Sequence, residues 1–304
     1  MNDQYLWDRS GETDPEIKRM ETLLRPLGDP GTPRRHVQSR TNRWMSFGMA
    51  AAAAALVCAG VALYFATNRK SAWETPDGRL YLGQWVTVTQ PTQIRVAAIG
   101  NLNVAPGSRL RIESSREGNY RARLQYGKLD ALILAPPRQF FVDTPSAVAV
   151  DLGCAYSLEV DRTGETRVSV RSGWVSFEKK GEEVFIPAGA HCRTSPAFGL
   201  GVPVYNDASA ALQASVTHFE ESRQVALPEE VRPKDGLTLW HLLRRAVPAQ
   251  RAQVFDQFAR VVSLPHSISR DRVIAGDRQA LDALWPALQL GDAAFWRQWQ
   301  RKLE

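Results

Sequence analysis

The residues of this 304-residue chain that could do chemistry are three cysteines, five histidines and a few adjacent carboxylates. Catalysis needs an acid, a base or a nucleophile brought together, and such sites often leave a local signature. His36, His191, His218, His241 and His266 are scattered, and HExxH, GxSxG and phosphate-loop patterns are absent. Glu220-Glu221 and Glu229-Glu230 read as solvated helix or loop charge. His191 beside Cys192 has the residue types of a Cys–His pair, but neighbours on a strand point to opposite faces. The cysteines Cys58, Cys154 and Cys192 lack the CxxC spacing of zinc sites or thioredoxin-like motifs. The residues therefore predict no enzyme, no cofactor and no metal site.

Composition narrows the remaining classes. With 44% apolar and 23% charged residues the chain is neither disordered nor a multi-span membrane protein. Its net charge of +6 and pI near 9.4 come from basic residues spread along the whole length, with one cluster from Arg34 to Arg43. No zinc-finger, RNP or helix-turn-helix signature accompanies them, so no direct nucleic-acid partner is expected.

The elements that would position any site begin with an anchor. Between Arg43 and Asn68 the run WMSFGMAAAAAALVCAGVALYFAT holds 24 residues and no charge. As a helix it is about 36 Å long, against a hydrocarbon core of about 30 Å. Trp44 at one end and Tyr64 and Phe65 at the other suit the two headgroup regions. A single membrane-spanning helix over 44–67 is expected, with Cys58 inert inside it and the lipid bilayer as its surroundings. A buried Ala-rich core helix is the alternative. The arginines before the segment slightly favour a cytoplasmic N-terminus.

In the tail, residues 1–43, Asp14 and Pro15 suit a helix start and Glu16 the positive end of its dipole, predicting a helix from Pro15 to about Arg25. Ile17, Met20, Leu23, Leu24 and Leu27 gather on one side. That face either binds a partner or belongs to a solvated tail, since a helix this short is marginal alone.

After a linker, 68–80, residues 81–194 turn to short runs of Val, Ile, Leu, Phe and Tyr broken at Gly100, Pro106-Gly107, Glu117-Gly118, Pro136-Pro137, Thr163-Gly164, Gly173 and Gly181. Val148, Val150, Leu152, Cys154, Tyr156, Leu158 and Val160 fall at every second position, giving an apolar inward face with Gly153 a bulge. A largely antiparallel sandwich or roll, or a short β-solenoid, follows.

The pieces GQWV, VAPGSRLRIE, RARLQYGKLDALI, FFVDTPSAVAVDLGCAYSLEV, TRVSVRSGWVSFEK and EEVFIPAGAHC, in this order, resemble the FecR domain of bacterial transmembrane regulators. The resemblance covers about a third of the chain, with Cys154 where the family usually has Thr. It implies an inner-membrane protein with one transmembrane helix, a cytoplasmic tail acting on a sigma factor or another regulator, and a periplasmic domain that receives a signal, in some members from an outer-membrane protein. Cys154 and Cys192 fall in this one domain, so an oxidising compartment would let them bridge; two buried thiols are the alternative.

A Gly/Pro linker, 195–207, leads into helical periodicity over 208–304. Thr, Pro, Ser or Asp starts each helix, and Trp240, Trp285, Trp296 and Trp299 are expected in a core, or on a partner surface. The expected fold is thus β-rich, a FecR-like sandwich, roll or short solenoid, with a transmembrane helix and a small C-terminal α-helical domain. The expected function is a membrane-anchored regulatory or sensory protein; the alternative is an envelope scaffold or binding module without signalling.

Overall fold

The computed structural model describes residues 15–24 and 73–291. It divides into two units, Met1–Asn68 and Arg69–Glu304. In the first, helix α1 spans Pro15–Leu24, as the tail sequence predicts. The expected anchor, 44–67, lies outside the described residues, as do Leu27, Trp296 and Trp299; among the described residues no helix is long and apolar enough to cross a membrane.

In the second unit the Gly and Pro breaks named above fall between strands, except Gly100, which opens one. The strands are β1 (Trp73–Thr75), β2 (Gly78–Arg79), β3 (Trp85–Thr87), β4 (Thr92–Val96), β5 (Gly100–Val104), β6 (Arg109–Arg116), β7 (Asn119–Ile133) and β8 (Phe140–Asp143). They continue with β9 (Val148–Asp151), β10 (Ala155–Val160), β11 (Thr166–Ser172), β12 (Trp174–Lys179), β13 (Glu182–Pro187), β14 (Ala190–Ser195), β15 (Gly199–Leu200) and β16 (Val204–Tyr205). All form one strongly curled sheet with two limbs.

The 15-residue β7 joins the limbs. Its first half pairs with β6 and β8, and its second half, from Gly127 on, pairs with β10 and β5. Gly127 has φ +107°, and a Cβ there would lie 2.4 Å from the Ser108 Cα. Only glycine fits this handover, because a side chain would meet both an unfavourable dihedral and a backbone in contact. Ser108 holds the bend: its Oγ accepts from the Lys128 N–H at 2.9 Å. Pairing is antiparallel except between β7 and β8.

The alternation from Val148 to Val160 is not one strand. β9 pairs with β8 and β12 in one limb, β10 with β7 and β11 in the other, and Gly153 (φ +86°) turns the corner. The period survives because both limbs face the same core, so an inward residue stays inward across the turn. Trp73 of one limb and Phe140 of the other meet with ring centroids 6.0 Å apart.

Residues 195–207, read from sequence as a linker, contribute β15 and β16 and so belong to the sheet. Helices α2 (Ala210–Ser222), α3 (Gly236–Arg245), α4 (Pro248–Val261), α5 (Arg270–Ala275) and α6 (Arg278–Asp282) follow, and their buried residues join the core of the sheet. Ser209, Ser269 and Asp277 cap α2, α5 and α6 with side-chain oxygens, satisfying backbone N–H groups that a helix start leaves unpaired. Trp285 packs 4.8 Å from Trp240 and 5.7 Å from Phe185 of β13, seating the helices on the sheet. Trp240 and Trp285 are thus core residues, their indole N–H groups donating to the Leu281 and Gly291 carbonyls.

Candidate functional site

The sequence-derived candidates fall in separate places. Cys154 and Cys192 are free, buried thiols, so the expected disulfide is corrected. The reason is register. Cys192 pairs with Val168 of β11, Val168 pairs with Leu158 of β10, and Cys154 lies four residues before Leu158. At about 4.8 Å per strand and 3.3 Å per residue the two α-carbons are on the order of 16 Å apart, whereas a disulfide needs about 4.4 to 6.8 Å. Cys154 Sγ donates to Asp151 Oδ2 at 2.7 Å and Cys192 Sγ to the Arg193 carbonyl. Burial pushes both thiols well above the usual range, with the Asp151 charge adding at Cys154 and Glu220 at Cys192. A thiol reagent should therefore leave Cys154 and Cys192 unmodified until the protein is unfolded, and a reductant should leave Tm unchanged.

In α1, Met20, Leu23 and Leu24 are exposed. Ile17 sits in the same helix, but its side chain, like Leu27, lies outside the described residues. His191 and Cys192 point to opposite faces as expected: Cys192 is buried, and His191 Nδ1 lies 2.8 Å from Asn206 Oδ1.

Glu220 departs from its sequence reading. It is 3% exposed, not solvated. Its Oε2 accepts from Arg193 Nη2 at 2.7 Å and Nε at 3.1 Å, and its Oε1 from the Val202 N–H at 2.9 Å. The pair locks α2 to β14 and to the segment after β15. Burial raises the Glu220 pKa against the pull of these donors.

Beside this pair lies a polar cleft of about 510 Å³, walled by the β12–β13 hairpin, β15, the end of α2, the end of α3 and the start of α6. The hairpin turn is Lys180-Gly181, both at positive φ, the conformation that fits a two-residue hairpin loop. It presents Lys179 and Lys180 to the cleft. Arg223 closes α2 in a left-handed C-cap, and its guanidinium donates to the Phe198 carbonyl. In total six cationic side chains, Lys179, Lys180, Arg223, Arg244, Arg245 and Arg278, line the cleft against three carboxylates, Glu182, Glu183 and Asp282, an excess of three positive charges.

At one side of the cleft is a buried face of α3. Thr238, His241 and Arg245 recur at i, i+3 and i+7 and so share one side of the helix. Thr238 Oγ1 donates to the Pro203 carbonyl, and Arg245 Nη1 to the carbonyls of Leu200 and Gly201. His241 is 1% exposed and lines the cleft, and its Nε2 has no hydrogen-bond partner. Burial first, then Arg245 and Arg244, hold it well below the usual histidine range, so it is neutral. Sequence reading missed this cleft because its residues come from five distant elements. The signal in hand was a lone histidine in the apolar run LTLWHLL, followed by two arginines. Among the described residues no cluster of His, Cys, Asp or Glu could hold a metal ion.

No family model matches the chain, and no curated protein is similar to it in sequence. Two crystal structures from Parabacteroides distasonis, each of a protein provisionally assigned as an anti-sigma factor, resemble it distantly. One has 16% identity and a TM-score of 0.34 over 53% of this chain and 73% of that one. The other has 15% identity and a TM-score of 0.32 over 63% and 79%.

Proposed function

We propose that the chain is a membrane-anchored regulator, in which the 69–304 unit receives a signal outside the cytoplasm and the N-terminal tail acts on a cytoplasmic sigma factor or other regulator. The observation that carries this reading is the order of three parts: a helix with exposed Met20, Leu23 and Leu24, an uncharged run of 24 residues, and a β-rich unit with a polar cleft. A lone ten-residue helix is marginal in water, so its apolar face is best accounted for by a partner. The FecR-like sequence of residues 81–194 supports the same arrangement. The N-in orientation rests on the arginines before 44–67 and on that resemblance; free thiols remove the support a disulfide would have lent. On this reading the protein binds and does not turn over a substrate.

A pull-down with residues 1–43 as bait tests it. Recovery of a sigma factor or another transcription regulator, lost when Leu23 and Leu24 are replaced by Asp, is the expected result. If wild-type and doubly substituted baits recover the same proteins, the tail serves only insertion and the envelope binding module takes its place.

A further inference from the structure

We propose that the cleft binds a phosphomonoester, its phosphate seated against His241 and held by the surrounding cations. The argument stands on the 69–304 unit alone. Asp282 already pairs with Arg244 at 2.9 Å, and Glu182 lies 3.9 Å from Arg245. Lys179, Lys180 and Arg278 have no ion-pair partner among the described residues, and Arg245, whose guanidinium donates to two backbone carbonyls, has Glu182 only as a long ionic contact. An excess of three positive charges suits a multiply charged anion better than a single carboxylate. The volume of about 510 Å³ falls in the range of small-molecule sites, roughly 300 to 1,000 Å³, so a phosphate can enter with the group that bears it.

His241 narrows the class further. Its other ring nitrogen donates to the backbone of Phe185, which fixes the neutral tautomer with Nε2 as an acceptor. An acceptor among cations asks for an anion that still carries a proton. A phosphomonoester, with a second pKa near about 6, can donate an O–H to Nε2 while its other oxygens accept from arginine and lysine. Sulfate and phosphodiesters have no such proton near neutral pH. They would set an oxygen lone pair against the Nε2 lone pair, leaving a buried polar group unpaired.

The test is calorimetric titration of the full-length chain in a mild detergent at pH 6.5 and low ionic strength, with inorganic phosphate and with sulfate. Phosphate should bind saturably and at least about tenfold more tightly than sulfate. Lys180→Glu with Arg278→Glu, both at exposed positions, should weaken phosphate by at least about tenfold with an unchanged near-UV spectrum. His241→Asn, whose amide can still donate to the Phe185 backbone, should bring the two anions to equal affinity. If adding phosphatidic acid to the micelles suppresses phosphate binding, the phosphate is that of a lipid headgroup; if not, it is that of a soluble phosphomonoester. Either outcome supports the site. Absence of saturable phosphate binding, sulfate binding as tightly as phosphate, or rim variants that bind like the parent would overturn it. The sulfate comparison and rim variants decide the matter even if the His241 variant does not fold.

Discussion

Replacing Glu220 with alanine should lower the unfolding free energy by about 3 to 5 kcal/mol, read as a drop in the urea midpoint at unchanged slope. The effect is large because the substitution strands what it leaves behind. Arg193 is mostly buried and would keep only Glu165, at 3.3 Å, as an ionic partner. The Val202 N–H would lose its acceptor, worth a further penalty of about 1 to 3 kcal/mol within that total. Glu220→Gln has a single acceptor oxygen, so it can serve Val202 or Arg193 but not both and turns its NH2 toward the other donor; it should cost nearly as much as the alanine change. Burial raises the Glu220 pKa, which means the ion pair is held at the expense of hydration and does not stabilise the fold by its charge alone. The pair's role is positional. Arg223 follows Glu220 by three residues, so loosening α2 from β14 should also disorder one wall of the cleft.

The second large effect is a pH dependence centred on Asp151. This carboxyl is 1% exposed, accepts from the Gly153 N–H and the Cys154 thiol, and is pushed up to about 7 by burial. A raised carboxyl pKa means the native state binds a proton that the unfolded chain releases near pH 3.8. The contribution is therefore fully present below pH 3.8 and is lost as pH rises through about 7. A shift of about three units corresponds to roughly 4 kcal/mol. Asp161, Asp207 and Asp277, exposed and held low chiefly by side-chain hydrogen bonds from Thr163, Lys234 and Arg272, run the other way. The comparison with Asp151→Asn isolates the one group. The stability of wild type relative to Asp151→Asn should fall by up to about 4 kcal/mol between pH 4 and 7.5. A difference independent of pH would mean that Asp151 is ionised in the folded protein throughout.

The strands were legible in the sequence because glycine and proline act locally: the breaks fall between strands, apart from Gly100 at the start of β5, and helix starts at Ser209, Ser269 and Asp277 follow capping chemistry. Pairing was not legible, since Val148–Val160 alternates as one strand yet divides between two limbs. Alternation reports only which side faces the core, and both limbs face the same one. Cys154 and Cys192 illustrate the limit again, because sharing a domain says nothing about lateral strand order. Residues 195–207 carry the Gly/Pro content of a linker, yet Val202 and Tyr205 are buried, since short edge strands are rich in the same residues as loops. Glu220 looked solvated because a Glu-Glu pair carries no sign of an arginine 27 residues earlier. The cleft was hidden for the same reason, being assembled from hairpin, strand and helix ends that only the tertiary fold brings together.

The central claim, that the tail helix engages a cytoplasmic regulator from a membrane-anchored chain, is tested most directly by photo-crosslinking in living cells. A photoreactive residue would replace Leu23 in the full-length protein. The account predicts an adduct with a sigma factor or another cytoplasmic transcription regulator, lost when Leu24 is changed to Asp. Adducts only with lipid or extracytoplasmic proteins, or none at all, would contradict it.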